Sequence, residues 1–82
     1  MRFYVYILLS LVNGDLYIGS AQDIDSRLER HNAGKVKSTK AYRPWKLLET
    51  HEYGSRSKAV LGEKFYKQHQ QKEILRKKYN LN

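Results

Sequence analysis

The chain has no cysteine and a single proline among its 82 residues. Without cysteine there is no disulfide framework and no thiolate zinc site. That usage fits a reducing compartment, and the cytoplasm is the expected location. Long apolar runs are missing as well: the longest, Val5 to Leu9, is far too short to span a bilayer. The start lacks the apolar core and small-residue cleavage pattern of a signal peptide, so no membrane partner is expected. Acidic residues are scarce, with eight Asp/Glu against sixteen Lys/Arg and a net charge of +8. A basic chain of this size attracts polyanions, of which nucleic acid is the commonest.

What is present is a 40% apolar content in periodic segments. It implies one globular domain over residues 1–82, with a core near the small end of what folds unaided. Seven tyrosines supply aromatic faces that stack on exposed bases.

Arg2 to Ser10 reads as a central strand, with Phe3, Val5, Ile7 and Leu9 facing one way and Tyr4, Tyr6 and Leu8 the other. Asn13-Gly14 signals a turn, and Leu16 to Ser20 returns as the second strand of a hairpin. A two-residue turn there pairs residues whose numbers sum to 27, leaving Tyr6 and Tyr17 on one face but about 13 Å apart. A wider loop of the same parity brings them opposite or diagonal. If the two tyrosines act together, the loop is longer than two residues.

Asp23 is a good N-cap for a helix to about Ala33, with Gly34 as its stop. Ile24 and Leu28 form its apolar stripe, and Arg27 and His31 project beside it, placed for a half-buried groove. The basic, aperiodic segment from Gly34 to Lys40 reads as a loop lying along a phosphate backbone. Arg43-Pro44 blocks helix there. Trp45 to Tyr53 reads as a third strand with Trp45, Leu47, Leu48 and Tyr53 apolar. Ser57 is placed to cap a helix from Lys58 to about Gln70. A last basic helix runs from about Gln71 to Tyr79, docking through Ile74, Leu75 and Tyr79. The expected fold is α+β: a three-stranded antiparallel sheet flanked by helices, in the order β-β-α-β-α-α.

Tyr17, Arg27 and His31, gathered by one strand-to-helix connection, suggest a site that handles phosphate and moves protons. Taken singly, Tyr6 and Tyr17 also read as ordinary sheet tyrosines, and Arg27 and His31 as a solvated helix edge.

Tyr4-Val5-Tyr6, ten residues, then Tyr17-Ile18-Gly19 resembles the GIY-YIG nuclease signature. The likeness continues through Arg27, His31, the segment ending Arg43-Pro44-Trp45-Lys46, and Ser57-Lys58-Ala59 followed by Glu63. It is similar to small single-domain members related to the nuclease domain of the DNA-repair excinuclease. Tyr4 replaces the first glycine of the signature, and Ser20 stands where some relatives carry lysine.

The resemblance implies a metal-dependent endonuclease hydrolysing DNA phosphodiester bonds. Tyr6 and Tyr17 would orient or deprotonate the attacking water, and Arg27 would stabilise phosphate charge. Glu63 would hold one Mg²⁺ or Mn²⁺, and His31 would transfer a proton or contact phosphate. A tyrosine base must overcome a reference pKa near 10, so the base stays open between a tyrosine and His31. Lys35, Lys37, Lys40, Arg43 and Lys67 are the expected nucleic-acid contacts. With little surface for reading duplex sequence, single-stranded or branched DNA is the expected substrate. The alternatives are a non-catalytic nucleic-acid-binding module and an interaction domain of a larger complex. On periodicity, Leu61 and Phe65 mark the core face of their helix and leave Glu63 exposed. The resemblance instead turns Glu63 inward, with Leu61 and Phe65 covered by the last helix. His51 and His69 read as surface residues.

Overall fold

Alternating apolar side chains put β1 (Phe3–Ser10) at the centre of an antiparallel sheet, between β2 (Leu16–Ala21) and β3 (Trp45–Tyr53). The computed structural model describes residues 2–81. Met1 and Asn82, the two ends of the expected 1–82 domain, lie outside the described residues. The helices are α1 (Ile24–Asn32), α2 (Arg56–Lys67) and α3 (His69–Lys78), giving the expected β-β-α-β-α-α order. A short 3₁₀ turn, Lys40–Tyr42, interrupts the segment read as irregular loop.

The sheet divides two cores. Val5, Ile7, Leu16 and Ile18 pack on one face with Leu75 of α3 and Tyr66 of α2. Tyr6, Leu8 and Trp45 pack on the other with Ile24 and Leu28 of α1. Each large apolar side chain buried this way contributes roughly 1.5–3 kcal/mol. A register shift between Ile7 and Leu8 interrupts the alternation of β3, so that Leu47 faces α1 while the successive residues Leu48 and Glu49 both lie on the α3 side. Leu8 pairs with Leu47 and Ile7 with Glu49, so Leu48 is the extra residue and turns to the α3 side.

The hairpin loop is wider than Asn13-Gly14, as a joint role for the two tyrosines requires. Ser10 N–H donates to Asp15 O at 2.9 Å and Gly14 N–H donates to Ser10 O at 3.0 Å. Tyr6 therefore pairs with Gly19, and Leu8 with Tyr17. The two tyrosines share the α1 face on a diagonal.

The Asp23 carboxylate accepts from Ser26 N–H and caps α1. Gly34 follows the helix at φ +76°, in the left-handed region. The cap of α2 is Ser55 rather than Ser57, and the helix starts at Arg56 rather than Lys58. Ser55 leaves β3 with extended backbone, and its Oγ accepts from Lys58 N–H at 3.2 Å. The break between the last two helices is Gln68, extended at ψ 143°, so α3 begins at His69.

Two expected packings are overturned. Leu61 is 65% exposed and Phe65 45% exposed, and α3 does not cover them. The face of α2 that meets the sheet carries Ala59 and Gly62 instead, and the Tyr53 ring occupies the space that a Cβ on Gly62 would need. Such close approach selects small residues, not the most apolar ones. Ile74, expected to dock α3, is 56% exposed, and the helix seats through Leu75 and Tyr79.

α3 is also tied to the sheet through a half-buried carboxylate. Glu49 accepts from Tyr79 Oη at 2.5 Å and from Lys78 Nζ at 2.9 Å, and its other oxygen meets His51 Nε2 at 2.6 Å. His51, read as a surface residue, stacks on Tyr66 with ring centroids 4.7 Å apart. Burial pushes the Glu49 carboxyl up, but the hydrogen bonds from Tyr79, Lys78 and His51 more than offset this and bring it from 4.5 to about 2. A depressed carboxyl stabilises the fold above its unfolded pKa, and that stability is lost as pH falls from about 4.5 towards 2. Glu49→Gln is expected to cost about 2–3 kcal/mol at pH 6 and to flatten the acid limb of stability. Urea unfolding at pH 6 and pH 3 checks this; parallel acid limbs in the two proteins would refute it.

Candidate active site

β2 is an edge strand, and the side chains of the candidate site lie on both sides of it. Tyr17 and Gly19 face α1, while Ser20 turns towards α2. Gly19 is required by contact rather than by backbone angle: a Cβ built there would stand 2.5 Å from Tyr6 Oη. The phenol of Tyr6 fills the space that a side chain would take.

On the α1 side, Tyr6, Tyr17 and His31 form one cluster. The ring centroids of Tyr6 and Tyr17 are 6.2 Å apart, and those of Tyr17 and His31 are 4.8 Å apart. Tyr6 is 1% exposed and His31 fully buried, deeper than the half-buried groove expected for His31. Tyr17 is partly open to solvent. Tyr6 Oη lies 3.0 Å from His31 Nε2, and His31 Nδ1 lies 2.8 Å from Thr39 Oγ1. Burial raises the Tyr6 phenol above 10.0, although the neighbouring Arg27 guanidinium pulls it down. Burial, then repulsion from Arg27 and Arg30, lowers the His31 imidazole below 6.5. At neutral pH the pair therefore rests uncharged, a phenol facing a neutral imidazole. Among the described residues, Arg27 Nε is buried with no hydrogen-bond partner. A guanidinium nitrogen left bare in this way suits an anionic guest.

On the α2 side, Glu63 faces inward, as the resemblance implies and the periodicity of α2 does not. Its Oε1 accepts from Ser20 Oγ at 2.8 Å and its Oε2 from Lys67 Nζ at 2.7 Å. Burial pushes this carboxyl up, but the Lys67 and Ser20 hydrogen bonds outweigh it and hold the group below 4.5. The Glu63 charge also raises the Tyr6 phenol, so its field reaches across the edge strand. A cavity of about 150 Å³ opens beside Ser20, lined also by Phe3, Gln22 and Arg56. Among the described residues no three His, Asp or Glu side chains converge on a metal position. One charged carboxylate beside a polar cavity still suits a hard ion that keeps several waters.

Lys35, Lys37, Lys40 and Arg43 are exposed on the segment after α1. That segment is anchored. Arg43 lies against Gly34, Ser10 Oγ donates to Tyr42 O at 2.6 Å, and Asn32 clamps the Trp45 backbone at 2.6 and 3.1 Å. Thr39, at its centre, is buried. No sequence signal singles out this threonine; only its contact with His31 does.

The family model of the GIY-YIG catalytic domain matches residues 2–80. The chain belongs to the GIY-YIG family. This GIY-YIG protein is 39% identical over 66 residues to a UPF0213 protein of Streptococcus agalactiae, covering 79% of the chain and 74% of that protein. It is 36% identical over 74 residues to a UPF0213 protein of Staphylococcus aureus, covering 89% of each. The solution NMR structure of a UPF0213 protein from Bacillus halodurans matches with a TM-score of 0.55 at 35% identity, over 92% of this chain and 82% of that one. The GIY-YIG family is a nuclease family whose members generally use a divalent metal. No helix among the described residues is long and apolar enough to cross a membrane.

Proposed function

We propose that this GIY-YIG protein is a metal-dependent endonuclease that hydrolyses DNA phosphodiester bonds, acting on single-stranded or branched DNA as one nuclease domain over residues 1–82. The observation that carries the reading is the buried Tyr6–His31 hydrogen bond of 3.0 Å, set beside an arginine whose Nε is bare.

Tyr17, the more open of the two tyrosines, orients the attacking water. As the water oxygen bonds to phosphorus, its proton passes to Tyr6 Oη while the Tyr6 proton passes to His31 Nε2. His31, whose Nε2 lies 3.0 Å from Tyr6 Oη, serves as the acceptor behind Tyr6. The Arg27 guanidinium takes the charge that grows on the non-bridging phosphoryl oxygens. Glu63, with Ser20 bracing one oxygen, is the residue that would hold one Mg²⁺ or Mn²⁺; Lys67, now on Glu63 Oε2, would be released to contact phosphate. When bound there, such an ion would supply Lewis-acid charge neutralisation for the phosphodiester. Lys35, Lys37, Lys40 and Arg43 present positive charge to the backbone on the flank of the site.

The test is cleavage of labelled single-stranded and branched DNA with Mg²⁺, Mn²⁺ or EDTA. Wild type is expected to cut only with metal, and Arg27→Ala to lose about 10²–10³-fold in rate, as when one donor to a developing oxyanion is removed. Equal cutting by both proteins would trace the activity to a contaminant. Salt-sensitive DNA binding without metal-dependent cutting would establish the binding-module alternative instead.

A further inference from the structure

Resting on that reading, we propose that Thr39 is a positioning residue for phosphodiester cleavage: its hydroxyl oxygen accepts the His31 Nδ1 proton and thereby keeps the Nε2 lone pair on Tyr6. Both ring nitrogens of His31 face hydroxyl groups, Tyr6 Oη at 3.0 Å and Thr39 Oγ1 at 2.8 Å. A neutral imidazole donates from one nitrogen and accepts at the other, so two arrangements of protons compete.

The surroundings choose between them. The Thr39 hydroxyl has a second acceptor within reach at 3.3 Å, Val36 O, a carbonyl that also accepts from Thr39 N–H at 3.1 Å and Lys40 N–H at 3.0 Å and takes the hydroxyl hydrogen as a longer third contact. Among the described residues, Tyr6 Oη, buried against Gly19, meets no acceptor but His31 Nε2. In the arrangement with Nδ1–H, the chain runs Tyr6 O–H to Nε2, Nδ1–H to Thr39 Oγ1, and Thr39 O–H to Val36 O, with every donor satisfied. The reverse arrangement strands the Tyr6 hydrogen in a buried site, which costs about 1–3 kcal/mol.

The same contact serves the charged state. When His31 holds the Tyr6 proton, both its nitrogens donate, and Thr39 Oγ1 remains the acceptor for Nδ1–H. Thr39 is itself held: Trp45 Nε1–H donates to its carbonyl at 3.0 Å, and its own N–H donates to Val36 O at 3.1 Å. The basic segment that carries Lys37 and Lys40 thus also carries the group that orients the proton acceptor.

The experiment compares wild type, Thr39→Val and Thr39→Ser. Nitrogen-15 shifts of the His31 ring read the tautomer, and single-turnover DNA cleavage reads the rate. Wild type should show the Nδ1–H form. Thr39→Val, which keeps the volume but removes the acceptor, should lose that form and cut about 10–100-fold more slowly, the usual range for a supporting partner, with DNA affinity unchanged. Thr39→Ser should restore both. An Nε2–H tautomer in wild type overturns the proposal, and that spectrum needs no folded variant. So does a Thr39→Ser protein as slow as Thr39→Val, or Thr39→Val with wild-type spectrum and rate. Absence of any cutting by wild type would instead strike the nuclease reading, leaving the tautomer result to stand or fall alone.

Discussion

Glu63→Gln is expected to lower metal-dependent DNA cleavage by about 10³-fold or more while the protein stays folded. Glutamine keeps the shape and an oxygen for Ser20 Oγ, so the substitution isolates the charge. What is lost is the sole carboxylate at this position that is both inward-facing and ionised below the ordinary range. A ligand whose loss removes several kcal/mol of charge stabilisation costs about tenfold for each 1.4 kcal/mol. The released partner, Lys67, is half-exposed, and an exposed pair of this kind contributes at most about 1 kcal/mol, so the melting temperature should move little. Mn²⁺ titration followed by calorimetry supplies the second readout, with the wild-type binding isotherm lost in the variant. Cleavage within tenfold of wild type, or unchanged Mn²⁺ binding, would remove Glu63 from the site.

Tyr6→Phe is expected to cut about 10²–10³-fold more slowly, within the usual range for a general base. The ring that packs with Leu8 and Trp45 is retained. The hydroxyl over Gly19 disappears, and His31 Nε2 is left without a partner, at a cost of about 1–3 kcal/mol in stability. The acid limb of wild-type cleavage carries a linked test. Burial and then Arg27 and Arg30 lower the His31 imidazole, so it remains a neutral acceptor until the pH falls below 6.5. Activity should therefore persist at pH 6.5 and fade below it. A limb centred above 6.5, or a Tyr6→Phe enzyme as fast as wild type, would exclude the Tyr6–His31 pair as the proton acceptor.

Much of this architecture is legible in the residues. Period-two alternation marks β1, Asp23 and Gly34 bracket α1, and a joint role for Tyr6 and Tyr17 calls for a hairpin loop longer than two residues. Each of these depends on backbone sterics and neighbours close in sequence. The failures share a different cause. Leu61 and Phe65 are large apolar residues of α2, yet the helix lies so near the sheet that its buried positions are the small Ala59 and Gly62. Apolarity signals what prefers to leave water; it does not report how closely two elements approach. Ser55 and Ser57 both have capping side chains, and the extended exit of β3 decides for Ser55.

The sequence by itself determined the order of strands and helices, the basic charge, and the list of side chains able to handle a phosphodiester. Tertiary structure decided their relations. It enclosed both Tyr6 and His31 and set the phenol 3.0 Å from the imidazole. It turned Glu63 to Ser20 across a separation of 43 residues in the chain. It brought Thr39, one polar residue among many in a basic segment, onto the far nitrogen of His31. Distances between residues remote in the chain are set by how closely the helices pack on the sheet, and no local pattern encodes them.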